Sequence, residues 1–156
     1  MSWVRRLTLP GVTAWLGAAI LMTAVIAPAA FEVLPTRSLA GALVGRVLPV
    51  LFISGAVFAV AALLARRTDQ HGSALVRVAP LIWLAAMLIA QFWIGTLIQR
   101  VRAQAGASLE TISADDPQRV RFGQLHGISV LLLGVGMVAA LILVVDGSRT
   151  QPSPEG

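Results

Sequence analysis

Long apolar segments alternate with short polar ones along this chain. Four segments of at least 19 residues contain no Asp, Glu, Lys or Arg: residues 7–31, 47–65, 78–99 and 127–145. A helix of about 20 residues, rising about 1.5 Å per residue, crosses the roughly 30 Å hydrocarbon core of a bilayer. Lipid offers backbone amides no hydrogen-bond partner, so a spanning segment satisfies them internally as a helix. The pattern predicts an all-α, polytopic membrane protein with a four-transmembrane-helix bundle.

Turn and capping residues set the predicted ends of these helices. We expect helices at about 11–31, 39–65, 78–99 and 117–145. Asp116 followed by Pro117 is typical of a helix start, with the aspartate as N-cap and the proline at the first helical position. The expected organisation is one transmembrane domain, residues 1–146, followed by a polar, disordered tail, residues 147–156.

The first apolar segment also has features of a secretory signal peptide. Arg5 and Arg6 precede it, and Ala27-Pro28-Ala29 imitates a small-residue cleavage site. However, the segment is longer than the usual apolar region of about 7–15 residues in a signal peptide, and three further spans follow it. A retained membrane helix is the favoured interpretation, with Pro28 near its end.

Composition and charge agree with a membrane location. The chain is 57% hydrophobic and 12% charged, with a mean hydropathy of +0.84, whereas a soluble domain is about 25% charged. The net charge is +5, and all twelve basic residues are arginine. They lie near helix ends, where cations contact lipid headgroups. We therefore expect the lipid bilayer, and no nucleic acid, as the partner.

The arginines do not decide the orientation of the chain in the membrane. They divide six against six between the two sides, so the positive-inside rule gives no overall preference. Arg5 and Arg6, before the first helix, weakly favour cytoplasmic termini because the first helix often dominates.

Four spans place the first and third connections on the same side of the membrane. Polar residues gather there and form the candidate pocket: Glu32, Arg37, Arg46, Arg119 and His126. Ionisable groups at membrane depth indicate a functional site. In that interpretation the arginines bind an anionic group, Glu32 is a counter-ion, and His126 carries a proton or acts as a single ligand.

A simpler interpretation of the same residues stays open. Arg46 and His126 each directly precede an uncharged run, so their polar ends could reach water and phosphate at the interface. Arg37, Arg119 and Arg121 would then be headgroup anchors.

Two pairs of glycines four residues apart lie on the same side of the membrane. They are Gly41 with Gly45 and Gly123 with Gly127. Such pairs let helix backbones approach closely in lipid, so we predict that all four glycines serve helix packing.

Catalytic motifs are absent from the sequence. It contains no paired carboxylates, HExxH motif or phosphate-binding loop, and Ser129 lies one turn from His126 without an orienting acid. His71 lies in the second connection, on the opposite side of the membrane from His126, so the two histidines cannot bind the same haem or metal. A further alternative is an oxidoreductase with a haem bound by a single histidine, or with a quinone site. We expect no enzyme, no cofactor and no metal; the chain also has no cysteine.

Three short stretches carry a family resemblance. They are Ala27, Pro28 and Phe31; Ala40, Gly41 and Gly45; and Phe122, Leu125, His126 and Ser129. Over roughly residues 10–145 the chain resembles a bacterial four-helix membrane domain family of unknown function, related to transmembrane protein 205-like proteins. The resemblance implies a multi-pass protein of the bacterial inner (plasma) membrane, with the polar motifs on one side, and it implies no reaction.

Two functional hypotheses follow from this sequence. The first is a non-enzymatic accessory or assembly subunit that associates with a membrane-protein partner or forms a homo-oligomer, since small-residue faces are present and catalytic groups are scarce. The alternative is a small-solute or ion-handling membrane protein, in transport or resistance, that uses the polar interfacial pocket.

Overall fold

Four long helices, here numbered α1 to α4, make up the fold. The structure is a computed structural model that describes residues 3–66, 73–105, 113 and 115–149. α1 contains the segments Trp3–Leu21, Met22–Ile26 and Ala27–Val33; α2 is Arg37–Arg66; α3 contains Ala74–Leu88, Ile89–Ile94 and Gly95–Ala105; and α4 is Pro117–Arg149. All four are long and apolar enough to cross a membrane. The predicted all-α, four-helix membrane fold is confirmed.

The helices extend beyond the predicted spans. α3 continues to Ala105 and α4 to Arg149, so the predicted tail begins as helix. A Cβ added to Gly147 would lie 2.8 Å from a methyl carbon of Leu9, which means that this part of α4 packs on α1. Residues 150–156 of the predicted tail, and His71, lie outside the described residues.

The start of α4 follows the predicted capping pattern. Asp116 precedes the first helical residue, Pro117, and its Oδ1 accepts a hydrogen bond of 2.8 Å from the backbone N–H of Gln118. The carboxylate satisfies a helix N–H that has no partner within the helix.

Each of the two odd-numbered helices contains one π-helical turn. In α1 the turn Met22–Ile26 ends where the N–H of Ala27 donates to the carbonyl of Met22, and Pro28 follows directly. Proline has no N–H to offer a helix, and a wider turn accommodates this interruption. In α3 the turn Ile89–Ile94 ends with the N–H of Gly95 donating to the carbonyl of Ala90. Both helices therefore continue as single spans.

The apolar core occupies the half of the bundle around two tryptophans. The rings of Trp15 on α1 and Trp83 on α3 lie 4.7 Å apart and are tilted by 51°. Nε1 of Trp15 donates a 2.9 Å hydrogen bond to the carbonyl of Leu51 on α2. Gly136 on α4 leaves the space that Trp83 and Met87 fill. Large apolar side chains on the outside of the bundle remain exposed, as expected for a surface in contact with lipid.

The opposite half of the bundle separates into two hairpins. α1 and α3 each pack on both α2 and α4 over the first part of their length. Beyond their π-helical turns this changes: Ala27–Val33 packs closely on α2 but not on α4, and Gly95–Ala105 packs closely on α4 but not on α2. The hairpin α1–α2 and the hairpin α3–α4 therefore diverge at the end that carries the first and third connections.

Candidate functional site

A cavity of about 850 Å³ lies between the two diverging hairpins. Most of its lining comes from α2, α3 and α4, and Phe31 contributes from α1. The polar residues that line it are Arg37, Ser38, Gln91, Thr96, Gln99, Arg100, Arg102, Arg119, His126 and Ser129. No Asp or Glu lines the cavity within the described part of the chain. Four of the lining residues are arginines, so the lining carries positive charge.

Arg102 is the residue that connects both walls of the cavity. Its guanidinium carbon lies 5.2 Å from the centre of the Phe122 ring on α4, a cation–π contact. Its terminal nitrogens would lie 3.7 and 3.8 Å from a Cβ added to Gly45 and Gly41 on α2. The guanidinium therefore crosses the gap between the hairpins. A guanidinium carries five N–H donors and no acceptor, which suits it to an anionic partner.

His126 lies next to the same aromatic ring. The imidazole and the Phe122 ring are nearly parallel, 5° apart in orientation, with centres 6.1 Å apart. The two residues are one helical turn apart on α4, and the imidazole is half-buried and lines the cavity. Its position lets it add a donor or an acceptor to a ligand that the arginines hold.

The structure brings three of the five candidate pocket residues together. Arg37, Arg119 and His126 line the cavity, whereas Glu32 and Arg46 are exposed and do not line it. Successive helical residues point about 100° apart, so Phe31 and Gly45 face the cavity while their neighbours Glu32 and Arg46 face away. Glu32 as a counter-ion and Arg46 as a pocket residue therefore stay predictions that this cavity does not include.

Neither glycine pair receives the backbone of another helix within the described part of the chain, so the packing role of the four glycines stays a prediction. The nearest neighbour of Gly41 and Gly45 is the Arg102 side chain rather than a helix backbone. Gly123 and Gly127 are exposed, and no atom of another described helix lies within 4 Å of a Cβ added to either. Close contacts between helices occur at Gly11, Gly55, Gly136 and Gly147, where an added Cβ would come within 3 Å of a side chain on another helix.

Sequence reasoning missed Arg102 because it ended the third helix at residue 99. Gln91, Gly95 and Arg102 follow the spacing of one helical face, four and then seven residues apart. Continuing that face by one turn would have placed Arg102 beside the candidate pocket. The signal was therefore present in the sequence but lay outside the predicted helix.

A substitution at Gly45 tests whether this glycine makes room for the Arg102 side chain or serves helix packing. Gly45→Ala is expected to be tolerated, because 3.7 Å is an ordinary van der Waals distance. Gly45→Leu should displace the guanidinium and raise the rate at which phenylglyoxal modifies Arg102, measured by mass spectrometry. The free energy of unfolding should change by less than about 1 kcal/mol, as for exposed positions. Loss of stability with unchanged Arg102 reactivity would instead support helix packing.

Comparison with known proteins identifies a family for the first three helices. The profile of a domain of unknown function, DUF4149, matches residues 11–107. Gly41, Gly45 and Arg102 lie within the match, and α4 lies beyond it, so the resemblance for Phe122 and His126 stays a prediction. The relation to transmembrane protein 205-like proteins also stays a prediction. No curated protein and no solved structure matches the chain.

Proposed function

The chain belongs to the DUF4149 family, a domain of unknown function, and from its cavity we propose that it binds a small anionic solute at the membrane boundary. The proposal places it as a multi-pass protein in the bacterial inner membrane. Its role is that of an ion- or solute-handling protein without catalytic activity. This is the alternative that the polar pocket suggested, now argued chiefly from Arg102.

The observation that carries the proposal is the position of Arg102. Its half-buried guanidinium lies inside the cavity, against a glycine surface on one side and an aromatic ring on the other. Guanidinium groups bind carboxylates and phosphates through paired, charge-assisted hydrogen bonds. Arg37, Arg100 and Arg119 line the same cavity, and like charges repel unless an anion or water screens them. An anionic ligand in the cavity would reduce this repulsion.

A thermal-shift screen of the purified protein tests the sign of the ligand's charge. The compounds are matched in size: carboxylates, phosphates and sulfonates, their neutral amide or alcohol analogues, and amines. A ligand that binds only the folded state raises the melting temperature. We expect shifts from anions, and none from the neutral or cationic analogues. A shift from amines alone, or no shift from any anion, would overturn the proposal.

A second candidate function is supported by the free glycine face of α4. Gly123, Gly127 and Gly134 have no atom of the described chain within 4 Å of an added Cβ, and a surface of small residues suits the close approach of another helix in lipid. This favours the accessory-subunit hypothesis, with a membrane-protein partner or a second copy. Chemical crosslinking in membranes tests it: Gly127→Leu should abolish a crosslinked species that Gly17→Leu, an open position on α1, retains.

A further inference from the structure

The cavity changes from cationic to apolar along its length. Arg37 and Phe52 both line it and lie fifteen residues apart on α2, about 22 Å at about 1.5 Å per residue. The arginines lie at the end near the connections, where α2 begins and α3 ends. Leu48, Phe52 and Ala90 line the deeper part, and Gln91 and Ser129 are the polar residues there.

From this gradient we infer that the ligand is an amphiphilic anion, with a phosphate or carboxylate head at Arg102 and an alkyl chain in the deeper part of the cavity. The inference rests on the proposed function and adds the class of ligand and its route of entry. A free phosphate or carboxylate shares the head chemistry, but it would leave the deeper, largely apolar part of the cavity unused.

The divergence of the hairpins gives such a ligand a route from the bilayer. On one side of the cavity α1 separates from α4, and on the other side α2 separates from α3. Thr96 and Arg100 on α3 line both the cavity and a second hollow, formed by Leu88, Ile89, Phe92, Trp93 and Leu97. Phe92 and Trp93 are 64% and 68% exposed, so this hollow lies on the outer, apolar surface of α3. An amphiphile in the membrane can pass from it into the cavity with its head beside Arg100.

Pairs of ligands that share a head but differ in the chain test the inference. Inorganic phosphate is compared with octyl phosphate, and acetate with octanoate, by calorimetric titration of the protein in phosphatidylcholine nanodiscs. Titrations of empty nanodiscs are subtracted, and octanol represents the chain without the head. Each pair of buried methylenes tightens binding about tenfold, so partial burial of the chain predicts at least about 100-fold tighter binding of the long-chain anion. Octanol is expected to show no saturable binding.

A substitution in the deeper part of the cavity separates binding of the chain from partition into lipid. Leu48→Trp fills the space for the chain and should reduce the advantage of octyl phosphate or octanoate to less than about tenfold, since most of the buried methylenes are lost. Val50→Trp, on the exposed side of the same helix, should keep the full advantage. Leu48→Phe is a smaller change that gives an intermediate result if the tryptophan variant does not fold.

The outcomes separate this inference from the proposed function. If heads alone bind as tightly as the long-chain anions, and Arg102→Gln removes that binding, the proposed function holds and the inference is wrong. If no anion binds saturably, both are wrong. If Leu48→Trp and Val50→Trp reduce the chain-length advantage equally, the chain does not occupy the cavity and the inference is overturned.

Discussion

Arg102→Gln is expected to weaken binding of an anionic ligand about 100-fold, or about 3 kcal/mol, the upper range for hydrogen bonds to a charged group. Glutamine keeps a polar side chain of moderate length but removes the positive charge and the paired donors that face the cavity. The helix should remain intact, because glutamine is a good helix former. Titration with octyl phosphate or octanoate measures the change.

Two other arginines provide matched controls for this variant. Arg46 and Arg121 are exposed and do not line the cavity, so Arg46→Gln and Arg121→Gln remove the same charge from the same side of the membrane. We expect less than a threefold change in affinity, since exposed charges are largely screened by salt. An equal loss in all three variants would mean that the net charge of that surface, rather than Arg102, attracts the anion.

The second prediction with a large effect concerns the stability of the half of the bundle around Trp15 and Trp83. Gly55→Ala is expected to lower the free energy of unfolding by about 1–3 kcal/mol, as overpacked cores do. The added Cβ would lie 2.8 and 2.9 Å from Cζ2 and Cε2 of Trp15 and 3.0 Å from Sδ of Met87. The indole cannot easily move, because it donates a hydrogen bond to Leu51 and packs on Trp83.

Unfolding in mixed micelles with increasing denaturing detergent measures this loss. Gly17→Ala is the control: it lies on α1, no atom of the described chain lies within 4 Å of its added Cβ, and alanine is the better helix former. Its stability should be unchanged or slightly higher. If both variants lose the same stability, general loss of helix flexibility rather than contact with Trp15 is responsible.

The candidate site was only partly predictable, and the reasons differ from residue to residue. Arg119 and His126 are seven residues apart on one helix, so a local rule places them on the same face, and both line the cavity. Glu32 and Arg46 were assigned by their position along the chain alone, which specifies depth in the membrane but not the direction in which a side chain points. Arg102 was missed because its helix continues one and a half turns beyond the apolar run.

Glycine spacing alone does not specify what a glycine faces. The same four-residue interval occurs at Gly41 with Gly45 and at Gly123 with Gly127. One pair contacts the side chain of an arginine, and the other faces outward. The glycines that receive neighbouring helices, such as Gly55 and Gly136, are identified by the large side chain opposite them, and that residue lies on a different helix.

By itself, the sequence determined that this is a four-helix membrane protein, because the spacing of apolar runs is a local property that bilayer thickness converts directly into spans. It also determined where α4 begins, since the Asp116 cap acts within one turn. Only the tertiary structure decided that the bundle opens into two hairpins, and that Arg102 rather than Arg46 faces the space between them. Those features depend on how each helix is rotated about its axis and on which neighbours it packs against, and both are set by contacts between residues far apart in the chain.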